Sequence, residues 1–176
     1  MYTHFNELYG SESTEHDDHK ATNYEIDDND LDVAFTHEEL MKAVFFQQSS
    51  NSPGMDNLVA ELFKSAFGII FPFLLNLYNK IFQTGIYPHS WGEGIIIPIH
   101  KGGNINEPKN YRGITHNNIM AKIYSKLLVE RLSKWAEKHN TLIDNQYGFQ
   151  KGKSTVDCIF ILHALITKTL ANKKKL

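Results

Sequence analysis

Downstream of residue 36, apolar positions recur with a helical period, interrupted once by two short β-branched stretches. Thr36-His37-Glu38-Glu39 reads as a capping box, with threonine at the N-cap and glutamate three residues on. The helix it opens carries Leu40, Val44 and Phe45 on one face and ends near Gln48. Ser49-Ser50-Asn51-Ser52-Pro53-Gly54 is a run of helix breakers. Asp56 then caps a second helix with Val59, Leu62, Phe63 and Phe67. A third passes through Phe73, Leu74, Leu77, Tyr78 and Ile81 to Gly85, placed as a C′ glycine. Pro88 and Trp91 fill the connection that follows, and the aromatic residues of these segments are expected in the core.

The interruption is Ile95–Thr115, IIIPIHKGGNINEPKNYRGIT. An extended arm through Ile97, Pro98 and Ile99 reaches His100 and Lys101. Gly102-Gly103-Asn104 supplies positive φ, and a second extended arm runs through Tyr111, Arg112 and Ile114. Two such arms around a polar tip predict a β-hairpin. Lys101 and Arg112 flank the tip; a point charge and a bidentate fork together suit an anionic ligand. Solvated edge charges that blunt aggregation are the alternative.

Beyond the hairpin, Asn117 or Asn118 caps a long helix with Ile119, Ile123, Leu127, Leu128, Leu132 and Trp135 on one face. Lys122, Lys126, Arg131 and Lys134 make the other face basic. Gln146 to Thr155 is a glycine-punctuated loop whose Lys151, Lys153 and backbone amides suit phosphates, with the rings of Tyr147 and Phe149 available for packing. A last helix, from Thr155 to about Leu170, is expected to bury Ile159, Leu162 and Ile166.

Composition adds a charge asymmetry. The chain of 176 residues is 41% apolar, enough for one packed domain or a piece of a larger one. Its net charge is −2, yet residues 1–40 hold 12 acids and one base, leaving eight acids against 17 bases over the rest. A basic body behind an acidic leader is the balance of a module that faces nucleic acid. Residues 1–30 show no sustained period and read as a flexible acidic leader. The single cysteine, Cys158, excludes an internal disulfide and reads as a buried thiol. No apolar run approaches the ~18 residues of a membrane span and no secretory signal is visible, so an intracellular protein is expected, in nucleus or cytoplasm. His16-Asp17-Asp18-His19 lacks the further ligands of a zinc site. Asp28, Asp30, Asp32 and Glu39 match the acidic places of a calcium loop, but Val33 stands where the turn needs glycine.

Taken together, the segments resemble the reverse transcriptase of LINE-like, non-LTR retrotransposons. The resemblance runs in register over about residues 31–175: Leu31-Asp32 with Phe35-Thr36 and Glu38-Glu39-Leu40; Ser52-Pro53-Gly54-Met55-Asp56; Glu61 to Lys64; Gly85 to Pro88 with Trp91; the isoleucine-rich arm to Lys101; Asn110-Tyr111-Arg112-Gly113-Ile114; Lys122 and Arg131-Leu132; Gln146-Tyr147-Gly148-Phe149; Ser154-Thr155-Val156-Asp157. It implies an α+β fold: mostly helical reverse-transcriptase fingers with the start of the palm and a β-hairpin. This partial reverse transcriptase domain would cover 31–176, after the leader at 1–30. It also implies that Lys101 and Arg112 meet an incoming deoxynucleotide triphosphate. Gln146, Gly148 and Phe149 would lie against template and nucleotide, with Lys151 and Lys153 beside them.

The sequence departs from the family at Asn51, usually lysine, at His116-Asn117-Asn118, usually apolar, and at Gln150, usually arginine; the last two suggest relaxed selection. The family pattern continues with an F-x-D-x-x-x-A-F-D strand and a FADD pair, and these 176 residues hold neither. The resemblance therefore implies a fragment of an RNA-directed DNA polymerase with no catalytic or metal-binding residue and no activity alone, Mg²⁺ being expected only for a complete polymerase. Expected partners are RNA or DNA, bound weakly and without sequence preference, and a deoxynucleotide triphosphate, with no membrane. The alternative is a non-enzymatic nucleic-acid-binding or interaction module that reuses the fingers fold.

Overall fold

Six helices and one hairpin form among the described residues, which in this computed structural model are 1–10, 31–141, 146–148, 150 and 152–171. They are α1 (Tyr2–Tyr9), α2 (His37–Phe46), α3 (Ala60–Ser65), α4 (Phe67–Thr84), β1 (Gly94–His100), β2 (Tyr111–Asn117), α5 (Ile119–Lys138) and α6 (Thr155–Ala171). Short 3₁₀ turns at His89–Trp91 and Pro108–Asn110 lead into the two strands. The chain divides into two units, Met1–Leu132 and Ser133–Leu176. A mixed helical fold with one antiparallel hairpin agrees with the α+β expectation.

The capping box of α2 forms as its spacing predicts: the Thr36 hydroxyl accepts from the Glu39 amide at 3.3 Å, and the Glu39 carboxylate accepts from the Thr36 amide at 2.8 Å. Helix α4 likewise ends where expected, on Gly85 in the left-handed conformation at φ 68°. The second expected helix does not start at Asp56. That carboxylate accepts from the Leu58 amide in a local turn, and Asn57 takes a left-handed conformation at φ 56°, so helical geometry begins only at Ala60.

The core joins Leu40 and Val44 of α2, Phe63 of α3, Tyr78 and Ile81 of α4, and Ile123, Tyr124 and Leu127 of α5. Burial of Tyr78 raises its pKa, and its hydroxyl donates to the Met120 carbonyl at 3.2 Å. The extended segment before α2 closes the core over Phe35, whose amide and carbonyl both bond the Asn79 side chain, at 2.5 and 3.1 Å. Not every aromatic residue is internal: Phe73 is 76% exposed on the outer face of α4, as is Ile69 beside it, and Phe45 is also exposed.

Gly54 shows why the breaker run matters. A Cβ there would stand 2.8 Å from the Asn118 amide nitrogen, so only glycine lets the turn reach the start of α5. Asn118 itself is buried and donates to the Ser90 carbonyl at 2.8 Å. A polar side chain at this place, where the family pattern is apolar, thus has a bonding partner for its amide nitrogen.

The first ten residues are not featureless, as α1 spans Tyr2–Tyr9. Phe5 lies over the hairpin at Gly113, where a Cβ would come within 3.0 Å of both the Phe5 ring and Ile96. His16 to His19 and Asp28 and Asp30 lie outside the described residues. Helix α6 is present with the expected start. Ser154 and Asp157 form a reciprocal cap there, the Ser154 amide donating to Asp157 at 2.8 Å. No residue of α6 is buried, however, including Ile159 and Leu162. Periodicity identified a shared face but not a cover for it. Cys158 is exposed too, contrary to expectation.

Candidate nucleic-acid interface

Strands β1 and β2 pair antiparallel from Gly94↔Asn117 to His100↔Tyr111, with Ile99 opposite Arg112. The Lys101 amide extends the ladder by donating to the Asn110 carbonyl at 2.8 Å. Side chains alternate across a strand, and directly paired residues share a face. Arg112, Ile99, Ile97 and Ile114 therefore lie on one face, and Lys101, two residues beyond Ile99, joins them. Both cations are exposed, and neither forms an ion pair among the described residues. The ribbon's opposite face carries Ile96, Pro98 and Gly113, the side on which Phe5 of α1 packs.

The tip is a folded clip rather than a slack glycine loop. Gly102 and Gly103 reverse the chain at φ 123° and 86°. The Asn110 side-chain amide donates to the Asn104 carbonyl at 2.9 Å, the Tyr111 hydroxyl donates to the Ile105 carbonyl at 2.9 Å, and the Asn106 amide donates to Asn104 Oδ1 at 3.0 Å. Lys109, also near the tip, is neutralised by Glu107 at 2.9 Å.

Two of the four bases expected on α5, Arg131 and Lys126, have partners within the molecule. Arg131 is 7% exposed and meets the Glu39 carboxylate through Nε at 2.8 Å and Nη2 at 2.9 Å. Its guanidinium also donates to the carbonyls of Leu31, Val33 and Ala34 and lies 4.3 Å over the Phe35 ring. The helical phase correspondingly leaves Leu132, an expected core residue, exposed. Lys126 pairs with Glu130 at 2.9 Å and sits over Phe46 at 3.8 Å. The Arg131 hydrogen bonds hold the Glu39 carboxyl at about 2, against an opposing contribution from burial. With both carboxylate oxygens so engaged, Glu39 is not a free calcium ligand. Sequence reasoning placed Arg131 on the solvated face; the buried Phe35 and the capping glutamate were the signals that it had a partner.

In the second unit, the Gln146 side chain donates to the Gly148 carbonyl at 3.2 Å, and the Lys153 ammonium lies 5.0 Å over the Tyr147 ring. Gln146, Gly148 and Lys153 are thus close together in the loop, whereas Phe149 and Lys151 lie outside the described residues. Among the described residues no group of three His, Cys, Asp or Glu side chains assembles. No described helix is long and apolar enough to cross a membrane.

Known proteins with a similar sequence define the class. Over 138 residues, 78% of this chain, the sequence is 30% identical to a probable RNA-directed DNA polymerase from transposon BS of Drosophila melanogaster. It is 26% identical over 133 residues to the corresponding protein of the transposon X-element, and 23% identical over 142 residues to the RNA-directed DNA polymerase from mobile element jockey, both from the same organism. No family model matches. The homologues are RNA-directed DNA polymerases of transposable elements. Within that class the chain matches the LINE-like, non-LTR reverse transcriptases, and it spans 15%, 14% and 16% of the length of the three relatives.

Proposed function

We propose that this chain is the fingers portion, with the start of the palm, of a non-LTR reverse transcriptase, and that it contacts nucleotide and template phosphates. The observation that carries the reading is the pair Lys101 and Arg112, unpaired among the described residues and on one exposed face of a ribbon, in a chain related to RNA-directed DNA polymerases. Arginine offers a fork to phosphate oxygens and lysine a mobile point charge. Gln146, Gly148, Phe149, Lys151 and Lys153 are the proposed template contacts. The excess of bases beyond residue 40 supports weak binding of RNA or DNA without sequence preference.

Alone, these residues bind but do not polymerise. Cationic clamps stabilise transition-state charge, whereas two-metal phosphoryl transfer also needs carboxylates that hold the ions. Neither the F-x-D-x-x-x-A-F-D run nor the FADD pair occurs in the sequence.

The test is titration with dTTP and with single-stranded RNA, alongside primer extension on a poly(rA) template with Mg²⁺ and then Mn²⁺. Weak dTTP binding, reduced more by Arg112→Ala than by Arg112→Lys, is the expected result. Incorporation above the Arg112→Ala control would refute the inactivity, and dTTP affinity indifferent to both Lys101→Ala and Arg112→Ala would refute the site.

A further inference from the structure

The hairpin's two cations are only as well placed as the tip between them. Three side chains close that tip, and none of them is charged. Asn110 is the hub: its backbone carbonyl receives the Lys101 amide, and its side-chain amide reaches across to the Asn104 carbonyl. Its Nδ2 also lies where a Cβ at Gly103 would be 2.9 Å away, so the amide packs flat on the glycine backbone. The Asn104 carbonyl additionally accepts the Glu107 amide at 3.2 Å, and the Glu107 carbonyl accepts the Asn110 amide at 3.0 Å, closing the loop back on its own hub. The Tyr111 hydroxyl secures the next stretch of the tip at Ile105, while its ring lies 5.1 Å from that of His100 on the ribbon face away from the cations. Each cation thus adjoins a pinned group, Lys101 by the ladder bond to Asn110 and Arg112 by the peptide bond to Tyr111.

We infer that Asn110 and Tyr111 are positioning residues, which lock the tip and so fix where Lys101 and Arg112 present their charges to a triphosphate. The inference rests on the nucleotide reading above. A ligand bound by two charges gains affinity when both are held in place beforehand, because less freedom is lost on binding. Glycines at 102 and 103 would otherwise leave the tip among the least constrained parts of the backbone.

The experiment is a double-mutant cycle on the full chain with dTTP as the probe, using Lys101→Ala, Asn110→Ala, their combination, and Tyr111→Phe. Asn110→Ala should weaken dTTP about three- to tenfold, the effect of one net hydrogen bond. In the Lys101→Ala background the same change should do little, since Asn110 acts through Lys101. Hydrogen exchange of the Lys101 amide should quicken in Asn110→Ala without nucleotide, which reads the lock directly. Tyr111→Phe deletes one hydroxyl from a half-buried ring, and it should weaken dTTP in the same direction even where Asn110→Ala fails to fold. Additive losses in the cycle, or unchanged affinity in Tyr111→Phe, would overturn the positioning role while leaving the nucleotide site standing. Unchanged affinity in Lys101→Ala would also overturn this inference, and unchanged affinity in both Lys101→Ala and Arg112→Ala would overturn the site itself.

Discussion

Glu39 serves two partners at once, capping α2 through Thr36 and neutralising Arg131 from α5. Its carboxyl is held at about 2, compared with 4.5 when free, chiefly by the Arg131 hydrogen bonds. A depressed carboxyl pKa stabilises the fold fully above the free value, and the contribution fades as pH falls through the folded one. Urea unfolding midpoints should therefore drop between pH 5 and pH 2, and Glu39→Gln should flatten that part of the profile. Arg131→Met removes the cation and leaves the carboxylate and three carbonyls of the 31–34 segment without their donor. A loss of about 3–5 kcal/mol is expected, as for other broken buried pairs. Chemical denaturation at pH 7 measures it, and a loss below about 1 kcal/mol, the level of surface pairs, would show that the network is not structural.

At the scale of elements, the turn 49–54 and the start of α5 fit only because residue 54 has no side chain. Gly54→Ala should cost about 1–3 kcal/mol, the usual penalty of overpacking, since the clash is with Asn118 backbone as well as its side chain. A thermal midpoint equal to that of the wild type would refute the close approach. The hairpin makes a complementary point. Its strands, the glycines at its tip and the two cations were all legible, because alternation, turn chemistry and charge are local properties. The locking of that tip was not, because Asn104, Asn110 and Tyr111 are ordinary polar residues until the loop brings their bonding groups together.

Across the whole molecule, the bases that remain unpaired should give RNA binding a salt slope of about −0.7 for each phosphate engaged on a single strand. Because Arg131 and Lys126 have internal partners, that slope should be smaller than a count of Lys and Arg on α5 suggests, and Arg131→Met should leave it unchanged in folded protein. The exposed apolar residues Ile69 and Phe73 on α4, and Val156, Ile159 and Phe160 on α6, are an association liability. Sedimentation should show weight-average mass rising with concentration; a single monomer boundary at all concentrations would contradict it.

The sequence by itself determined helices α2, α4, α5 and α6, the hairpin, the Thr36 cap and the Gly85 stop, since each depends on a few adjacent residues. The ordered run of motifs also determined the kinship with transposon polymerases. Only the tertiary structure decided that Arg131 faces inward, that Asn118 bonds Ser90, that Phe73 stays outside and that Phe5 of α1 lies against the hairpin at Gly113. Those outcomes depend on contacts between residues far apart in the chain, such as Arg131 with Glu39 and Phe5 with Gly113. A helical period says which side chains share a face, but burial is decided by what another element brings to it.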